Sequence, residues 1–209
     1  MVQVKKRSVH DAIVRNADAL FSAHGYHETT LADIAKATKV GVGSIYSYFP
    51  SKLALLYQVY RPWLLGHIDR LERSLAGKRA PREKLRLFLL CIWRDIPARN
   101  TGLANSLMEA LASADPREGK PDDLLRVTER RLTVILETIV PRARQHFLEG
   151  DLLAHLLLMA YDGFVINRRL GDTRDIGALI ETVCDMILGP PARRQSARPP
   201  QSRRSRNTA

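Results

Sequence analysis

Apolar residues recur every three or four positions through most of the chain, and no stretch alternates with period two for long. Such spacing gathers apolar side chains on one face of an α-helix. It predicts an all-α protein of about nine helices. After Gly189 the sequence becomes rich in Pro, Arg, Ser and Gln and loses its apolar periodicity. Because such a segment cannot offset the entropy of ordering, residues 190–209 are predicted to form a disordered Arg/Pro-rich tail.

Capping residues and helix breakers predict the first three helices. A helix over about residues 9–24 ends at Gly25, which tolerates the left-handed conformation common at helix ends. Thr30 and Asp33 form an acidic variant of a capping box at the start of the second helix. A tight turn then leads into a third helix that is expected to end near Phe49.

The remaining apolar stripes predict a long fourth helix and five further helices. Ser51 is expected to cap the fourth helix, and Pro62 to kink it because proline has no backbone N–H to donate. The later helices are expected over residues 82–96, 103–112, 122–140, 145–170 and 175–188. These elements divide the chain into an N-terminal unit of residues 1–52, with a helix-turn-helix over about 30–49, and a helical unit of residues 53–189.

The charge of the chain indicates a polyanionic partner. The formal net charge is +11 and the isoelectric point is about 10.1. Clustered Lys and Arg raise the affinity for phosphates whatever the nucleotide sequence. Nucleic acid is therefore the first expectation, and an anionic membrane surface is the second.

The sequence shows no motif typical of an enzyme, a metal site or a membrane span. It has no Gly-rich phosphate loop, nucleophile elbow or paired carboxylates on one helix face. Cys91 and Cys184 lack the spacing of metal ligands. The longest apolar stretch, residues 152–166, is too short to cross ~30 Å of hydrocarbon, and no apolar signal region opens the chain. We expect a cytoplasmic protein that is not an enzyme, uses no cofactor or metal and does not enter a membrane.

The segment KVGVGSIYSYFPSK, residues 39–52, predicts a third helix with little bulk on its exposed face. With Ile45 directed to the core, helix geometry turns Gly43, Ser44 and Tyr46 outward. This face lets the helix backbone approach another surface closely while still offering hydrogen bonds. A DNA major groove is about 12 Å wide and admits one α-helix, so the segment favours helix-turn-helix recognition of DNA.

The longer sequence TTLADIAKATKVGVGSIYSYFPSK, residues 29–52, resembles the DNA-binding signature of TetR-family transcriptional regulators. The matching features are the capped second helix, its Asp-Ile-Ala core, the Tyr-x-Tyr-Phe close of the third helix and the Ser-Lys start of the fourth. The motif resemblance extends over residues 9–56. It implies a homodimer in which helices one to three bind operator DNA, while the remaining helices form a ligand-sensing and dimerising domain.

Carried over by position, the resemblance assigns DNA contacts to Thr30, Val42, Gly43, Ser44, Tyr46, Tyr48 and Lys52. Two residues depart from the family pattern. Lys39 stands where the family generally has glycine, and Gly41 stands in place of the usual serine at the start of the recognition helix. Lys39 is a further candidate for a phosphate contact, although a left-handed turn at its position would favour glycine. For Tyr46 and Tyr48, packing inside the protein is the alternative interpretation.

Apolar residues of the second unit are candidates to line a ligand cavity, with packing in a solid core as the alternative. The ligand-binding candidates are His67, Phe88, Ile92, Trp93, Met108, Leu111 and Ile135. Besides His67, the polar residues Asn105, Glu109 and Tyr161 are candidates to orient a ligand.

The last two predicted helices carry more apolar residues than one buried face requires. By resemblance to the family they pair with their symmetry mates in a four-helix bundle, and an intramolecular core is the alternative for part of the set. The dimer-interface candidates are Leu152, Leu156, Met159, Phe164, Ile176, Leu179, Ile180, Val183 and Ile187.

These observations favour a homodimeric, sequence-specific transcriptional regulator whose partners are a double-stranded DNA operator and a small ligand. The leading hypothesis is a repressor released from its operator by an apolar or amphipathic molecule. The alternative is a DNA-binding regulator controlled by a protein partner, with a solid core in place of a ligand cavity. An enzyme is the rival from another class of protein.

Overall fold

The computed structural model describes residues 2–114, 123–171 and 174–191, and for residues 2–5 the backbone only. All regular elements in these ranges are helical, which confirms the all-α prediction. The α-helices are α1 Val2–Glu28, α2 Leu31–Thr38, α3 Val42–Tyr46, α4 Lys52–Leu75, α5 Pro81–Leu90, α6 Ile96–Arg99, α7 Thr101–Ser113, α8 Leu124–Glu137, α9 Leu152–Arg169 and α10 Ile176–Leu188. The tail predicted over residues 190–209 lies almost entirely outside the described residues.

Helices α1, α2 and α3 share a small core with the start of α4. Phe21 of α1, Ile34 of α2 and Ile45 of α3 are fully buried there. Gly25 interrupts α1 with φ of 84°, at the position predicted for its end. Because the apolar stripes of these helices pack against one another, the opposite side of α3 faces solvent.

The start of α2 carries the predicted capping box. The Thr30 hydroxyl accepts the Asp33 N–H at 3.1 Å, and the Asp33 carboxylate accepts the Thr30 N–H at 3.0 Å. The hydrogen bonds from Thr30 lower the pKa of Asp33 below its ordinary value. Two backbone donors that the helix itself cannot satisfy are thereby paired.

Replacing Thr30 with alanine is expected to lower the free energy of unfolding by about 1 kcal/mol, because the Asp33 N–H loses its acceptor. Chemical denaturation measures this loss. Ser113→Ala is the control, because Ser113 is exposed and its hydroxyl donates to the carbonyls of Glu109 and Ala110 in the same helix. An equal loss in both variants would contradict the role of the cap.

Several helix boundaries differ from the predictions, and α1 already begins at Val2 instead of about residue 9. Helix α3 ends at Tyr46 instead of Phe49. Phe49 precedes Pro50, and helical geometry is unfavourable for a residue before a proline. The helix predicted over residues 82–96 changes at Cys91–Asp95 into a π-helical turn. The helix predicted over residues 145–170 begins only at Leu152, because its first part is a 3₁₀ segment, Arg142–Asp151, in which Gly150 has φ of 64°.

Helix α4 connects the N-terminal helices to the rest of the chain. It is capped by the Ser51 hydroxyl, which accepts the Ala54 N–H at 3.0 Å, and it continues as one element through Pro62. Around it pack α7, α8 and α5, and α9 and α10 lie further out on α8 and α5. Among the described helices, none combines the length and apolar character needed to cross a membrane.

Candidate DNA-binding surface and ligand cavity

The outward face of α3 has the low bulk that the sequence predicts. Val42, Gly43, Ser44 and Tyr46 are exposed, whereas Ile45 is fully buried and fixes the rotation of the helix. An alanine Cβ built at Gly43 would meet nothing within 4 Å. The Tyr46 side chain is 56% exposed, although large aromatic side chains are usually buried. This surface can approach a groove closely and offers two hydroxyl groups to it.

The turn before α3 places Lys39 in the left-handed conformation, with φ of 60° and ψ of 43°. Its N–H donates to the Lys36 carbonyl at 3.2 Å, and the Val40 N–H donates to the Ala35 carbonyl at 3.0 Å. A left-handed lysine is less favourable than the glycine usual in the family. The Lys39 side chain is exposed beside α3, and its phosphate contact stays a prediction.

Thr30, the cap of α2, is exposed, and its contact with DNA stays a prediction. Two further candidates, Tyr48 and Lys52, also contribute to the packing of the N-terminal helices. Tyr48 is half-buried, with its ring 6.0 Å from that of His10. The Lys52 ammonium donates to the carbonyls of Tyr26 at 2.8 Å and Thr29 at 3.0 Å. It also lies 4.1 Å from the centre of the Tyr26 ring.

Lys52 therefore links the start of α4 to the end of α1. Burial lowers the pKa of its ammonium, and the negative charge of Glu109 opposes this shift. An ammonium has three N–H donors, of which two are used here. The contact of Lys52 with DNA stays a prediction, and its hydrogen bonds inside the protein are a role that the sequence did not indicate.

Helix α7 is packed closely against α1 through Gly102. An alanine Cβ built at Gly102 would lie only 1.9 Å from the Ser22 carbonyl oxygen. One turn later the Ser106 hydroxyl donates to the Phe21 carbonyl at 2.8 Å. The contact leaves room for a hydrogen atom only, which explains why glycine stands inside a helix where it has low intrinsic propensity.

The same helix holds the end of α1 through the carboxylate of Glu109. This group accepts the Tyr26 N–H at 3.0 Å, the His27 N–H at 3.4 Å and a bond from the Arg169 guanidinium at 3.0 Å. Burial raises the pKa of Glu109, but these hydrogen bonds outweigh it and the net pKa is lowered. Glu109, considered from sequence as a ligand-orienting residue, instead contacts the DNA-binding helices.

A cavity of about 250 Å³ lies in the second part of the chain, between α4, α7, α8 and α9 and the segment around α6. Ile92 and Leu111 are the ligand-binding candidates that line it, and Tyr161, a candidate to orient a ligand, lines it too. The lining residues are Tyr57, Tyr60, Leu64, Ile68, Ile92, Ile96, Leu107, Leu111, Leu124, Leu125, Thr128, Leu158, Tyr161 and Asp162. The cavity is thus mainly aliphatic.

The polar side chains that line this cavity are Tyr60, Thr128, Tyr161 and Asp162, and together they are called its polar corner. The hydroxyls of Tyr60 and Tyr161 are 2.8 Å apart. Burial raises the pKa of Tyr60 well above its ordinary value, that of Tyr161 to about 12 and that of Asp162 to about 6. At neutral pH the two phenols are therefore uncharged, and Asp162 is largely ionised.

Five predicted ligand-binding residues do not line this cavity. Phe88 is fully buried in the core, and the Trp93 indole donates to the Leu157 carbonyl at 2.9 Å. His67 is buried with its ring 4.9 Å from that of Trp63, and burial lowers its pKa to about 4, with smaller effects from Arg70 and Arg99. The others are Met108 and Ile135, which also pack elsewhere. Apolar periodicity identifies core residues but not which of them border a void.

Comparison with known proteins agrees with this geometry. Residues 13–59 match the model of the bacterial regulatory proteins of the tetR family. The fatty acid metabolism regulator protein of Bacillus subtilis is 31% identical over 41% of this chain and 44% of its own length. The HTH-type transcriptional repressor KstR of Rhodococcus jostii is 28% identical over 84% of this chain and 81% of its own length.

A solved structure extends the similarity beyond the DNA-binding helices. Thermus thermophilus FadR, a TetR-family transcriptional repressor in complex with lauroyl-CoA, is 26% identical with a TM-score of 0.63 over 91% of this chain and 99% of its own. Residues 13–59 thus match the TetR family, and the fold over most of the chain is similar to that of a TetR-family repressor. This chain covers less than half of the length of the Bacillus subtilis regulator, so that protein's activity is not transferred by the match alone.

The resemblance to TetR-family regulators predicts a dimer interface on the outer face of α9 and α10. Several of its candidate residues are exposed in the single chain, Leu152 at 70% and Leu156 at 59% among them. Met159 and Leu179 are exposed as well, while Phe164, Ile176 and Val183 are half-buried. Ile166 and Met186 of these helices, and Leu170 just after α9, are exposed apolar residues that the prediction did not include.

Two of the predicted interface residues have another environment. Ile180 is fully buried and Ile187 nearly so in the core of this chain, where α10 packs against α5. They are thus unavailable for direct contact with a second chain. At about 100° per residue, Leu179 and Met186 lie roughly 80–120° around α10 from these two buried residues. The composition of the helix alone does not show which of the four face the core.

Proposed function

We propose that this chain is a homodimeric transcriptional repressor that binds an operator through α3 and leaves it when an apolar or amphipathic ligand occupies the cavity. The proposal rests on the position of α7. This helix lines the cavity through Leu107 and Leu111, and it contacts α1 through Gly102 and Glu109. One helix is therefore in contact both with the cavity and with the first of the N-terminal helices. In this proposal residues 1–52 bind DNA, and residues 53–189 bind the ligand and dimerise.

The cavity supports a small ligand over control by a protein partner. Its volume of about 250 Å³ lies just below the ~300 Å³ at the lower end of ordinary ligand pockets. A regulator controlled only by a protein partner would be expected to have a solid core there. Since a relative of known structure holds lauroyl-CoA, acyl-CoA thioesters are the first ligands to test.

The exposed apolar side chains of α9 and α10 support a homodimer. Leu152, Leu156 and Met159 leave a contiguous apolar face, which in a monomeric protein is unusual. A two-fold dimer places two recognition helices about 34–36 Å apart, one turn of DNA. The operator is therefore proposed to contain two related half-sites.

Operator binding is tested with DNA from upstream of the gene that encodes this chain, at several salt concentrations and with random DNA as competitor. Tyr46→Ala is expected to weaken specific binding at least about tenfold, because each subunit loses a hydrogen bond to the charged backbone. Electrophoretic mobility shift or fluorescence anisotropy measures the loss.

Phe147→Ala is the control variant, because Phe147 is a similarly exposed aromatic residue in the 3₁₀ segment, away from α3. Weak binding that is equal on both DNAs and unchanged by Tyr46→Ala would contradict the proposed function. Addition of lauroyl-CoA to the specific complex then tests release, for which a coupling of ~1–3 kcal/mol corresponds to roughly 5–150-fold lower operator affinity.

A further inference from the structure

The polar corner of the cavity contains a hydroxyl that has no hydrogen-bond partner in the described part of the chain. Thr128 is 2% exposed, and its Oγ1 lacks a partner among the described residues. A buried hydroxyl without a hydrogen bond is costly, and native proteins pair nearly all of them. Because Thr128 lines the cavity, a molecule inside the cavity can supply the missing bond.

The pair of Tyr60 and Tyr161 in the same lining also has a hydroxyl proton that their mutual hydrogen bond does not use. One of the hydroxyls of Tyr60 and Tyr161 donates to the other at 2.8 Å, so the bond uses one of their two protons. The second proton stays available to an acceptor, since each phenol is both a donor and an acceptor. With Thr128, the cavity lining thus offers both hydrogen-bond donors and acceptors to a bound molecule.

The charge of the corner limits which polar group can enter. Asp162 lines the cavity, and its raised pKa of about 6 leaves it negatively charged at neutral pH. No Lys or Arg belongs to the cavity lining in the part of the chain that the structure describes. A carboxylate or phosphate inside the cavity would therefore face a like charge in an apolar setting, which strongly disfavours it.

We propose that the polar corner binds the uncharged hydrogen-bonding group of a lipid-like ligand and rejects anionic head groups. The hydrocarbon part fills the aliphatic remainder of the cavity, and a hydroxyl or the carbonyl of an ester or thioester meets Thr128 and the tyrosine pair. Any charged portion of a larger ligand stays outside the cavity. The inference rests on the proposed function in taking this cavity as the ligand site.

Three probes of equal chain length test the selectivity: decanol, methyl decanoate and decanoate. Their binding to the purified full chain is measured at neutral pH by titration calorimetry, without DNA. Decanol and methyl decanoate are expected to bind at least about tenfold more tightly than decanoate. Asp162→Asn is expected to narrow this difference by strengthening the binding of decanoate.

The role of the unpaired hydroxyl is tested with a matched pair of variants. Thr128→Val should weaken decanol binding about three- to tenfold, the value of one buried hydrogen bond. Thr133→Val is the control, because Thr133 lies on the same helix, is equally buried and also lacks a partner among the described residues, yet it does not line the cavity. Tyr161→Phe should weaken decanol binding by a similar factor to Thr128→Val.

The outcomes separate this inference from the proposed function. Equal affinities for decanol and decanoate, or equal effects of Thr128→Val and Thr133→Val, would overturn the inference. If lauroyl-CoA releases the operator while neither uncharged probe binds, the proposed function stands and the inference fails. If the probes bind as expected but neither they nor lauroyl-CoA releases DNA, the inference stands and the proposed release by ligand fails.

Discussion

Replacing Gly102 with alanine is expected to lower the free energy of unfolding by about 1–3 kcal/mol, the usual cost of inserting atoms into a packed interior. The added Cβ would lie 1.9 Å from the Ser22 carbonyl oxygen. Because that atom belongs to the backbone of α1, it cannot move aside like the end of a flexible side chain. Helices α1 and α7 must separate instead, which weakens the contacts of Ser106 and Glu109 with α1.

Gly66→Ala is the control, and it is expected to change the free energy of unfolding in the opposite direction. Gly66 lies inside α4, and a Cβ there would meet only the end of the Arg70 side chain, at 3.9 Å. Alanine in a helix interior is more favourable than glycine by about 0.5–1 kcal/mol, so this variant is expected to be more stable. Urea denaturation of both variants measures the two effects. Stabilisation by Gly102→Ala would show that the two helices are not in close contact in solution.

The sequence predicts those features of the fold that depend on interactions between residues close together in the chain. The capping box of Thr30 and Asp33, the break at Gly25 and the outward face of α3 opposite Ile45 all depend on residues within a few positions. Each has one favourable local arrangement, so pattern and structure agree. The same holds for the all-α fold class, which follows from apolar spacing along most of the chain.

The features that connect the two parts of the chain depend on tertiary contacts and could not be predicted in this way. Gly102 has no sequence signature, since its function is set by Ser22 eighty residues earlier. Lys52 and Glu109 are ordinary charged residues until the end of α1 approaches them. The cavity likewise depends on which apolar helix faces do not pack against each other. The sequence does not show that Ile92 lines the cavity while Phe88 does not.

Replacing Glu109 with alanine is expected to destabilise the protein by about 1–3 kcal/mol, because the Tyr26 N–H loses its acceptor in a partly buried place. The end of α1, and with it the entry to α2, is then held less firmly against α7. Chemical denaturation gives the loss of stability. The operator-binding assay should show a smaller effect of ligand on DNA affinity, since one of the contacts between the cavity helix and α1 is gone.

Arg169→Ala separates the backbone hydrogen bonds of Glu109 from its ion pair. The Arg169 side chain is 59% exposed, and an ion pair of this kind contributes about 0–1 kcal/mol. Arg169→Ala is therefore expected to cost less than Glu109→Ala. Equal losses in the two variants would assign the effect to the ion pair and contradict the importance of the Tyr26 and His27 amides.

The pH dependence of stability gives an independent measure of the same contact. The pKa of Glu109 is lowered in the folded protein, so the unfolded chain binds a proton at this residue more readily than the folded chain does. Its contribution is therefore fully present above the ordinary glutamate pKa and disappears as the pH falls through the lowered value. Below about pH 4.5, the ordinary pKa of this group, the unfolding free energy of the wild type should fall more steeply than that of Glu109→Ala. Parallel pH profiles would show that the amides of Tyr26 and His27 gain nothing from the negative charge.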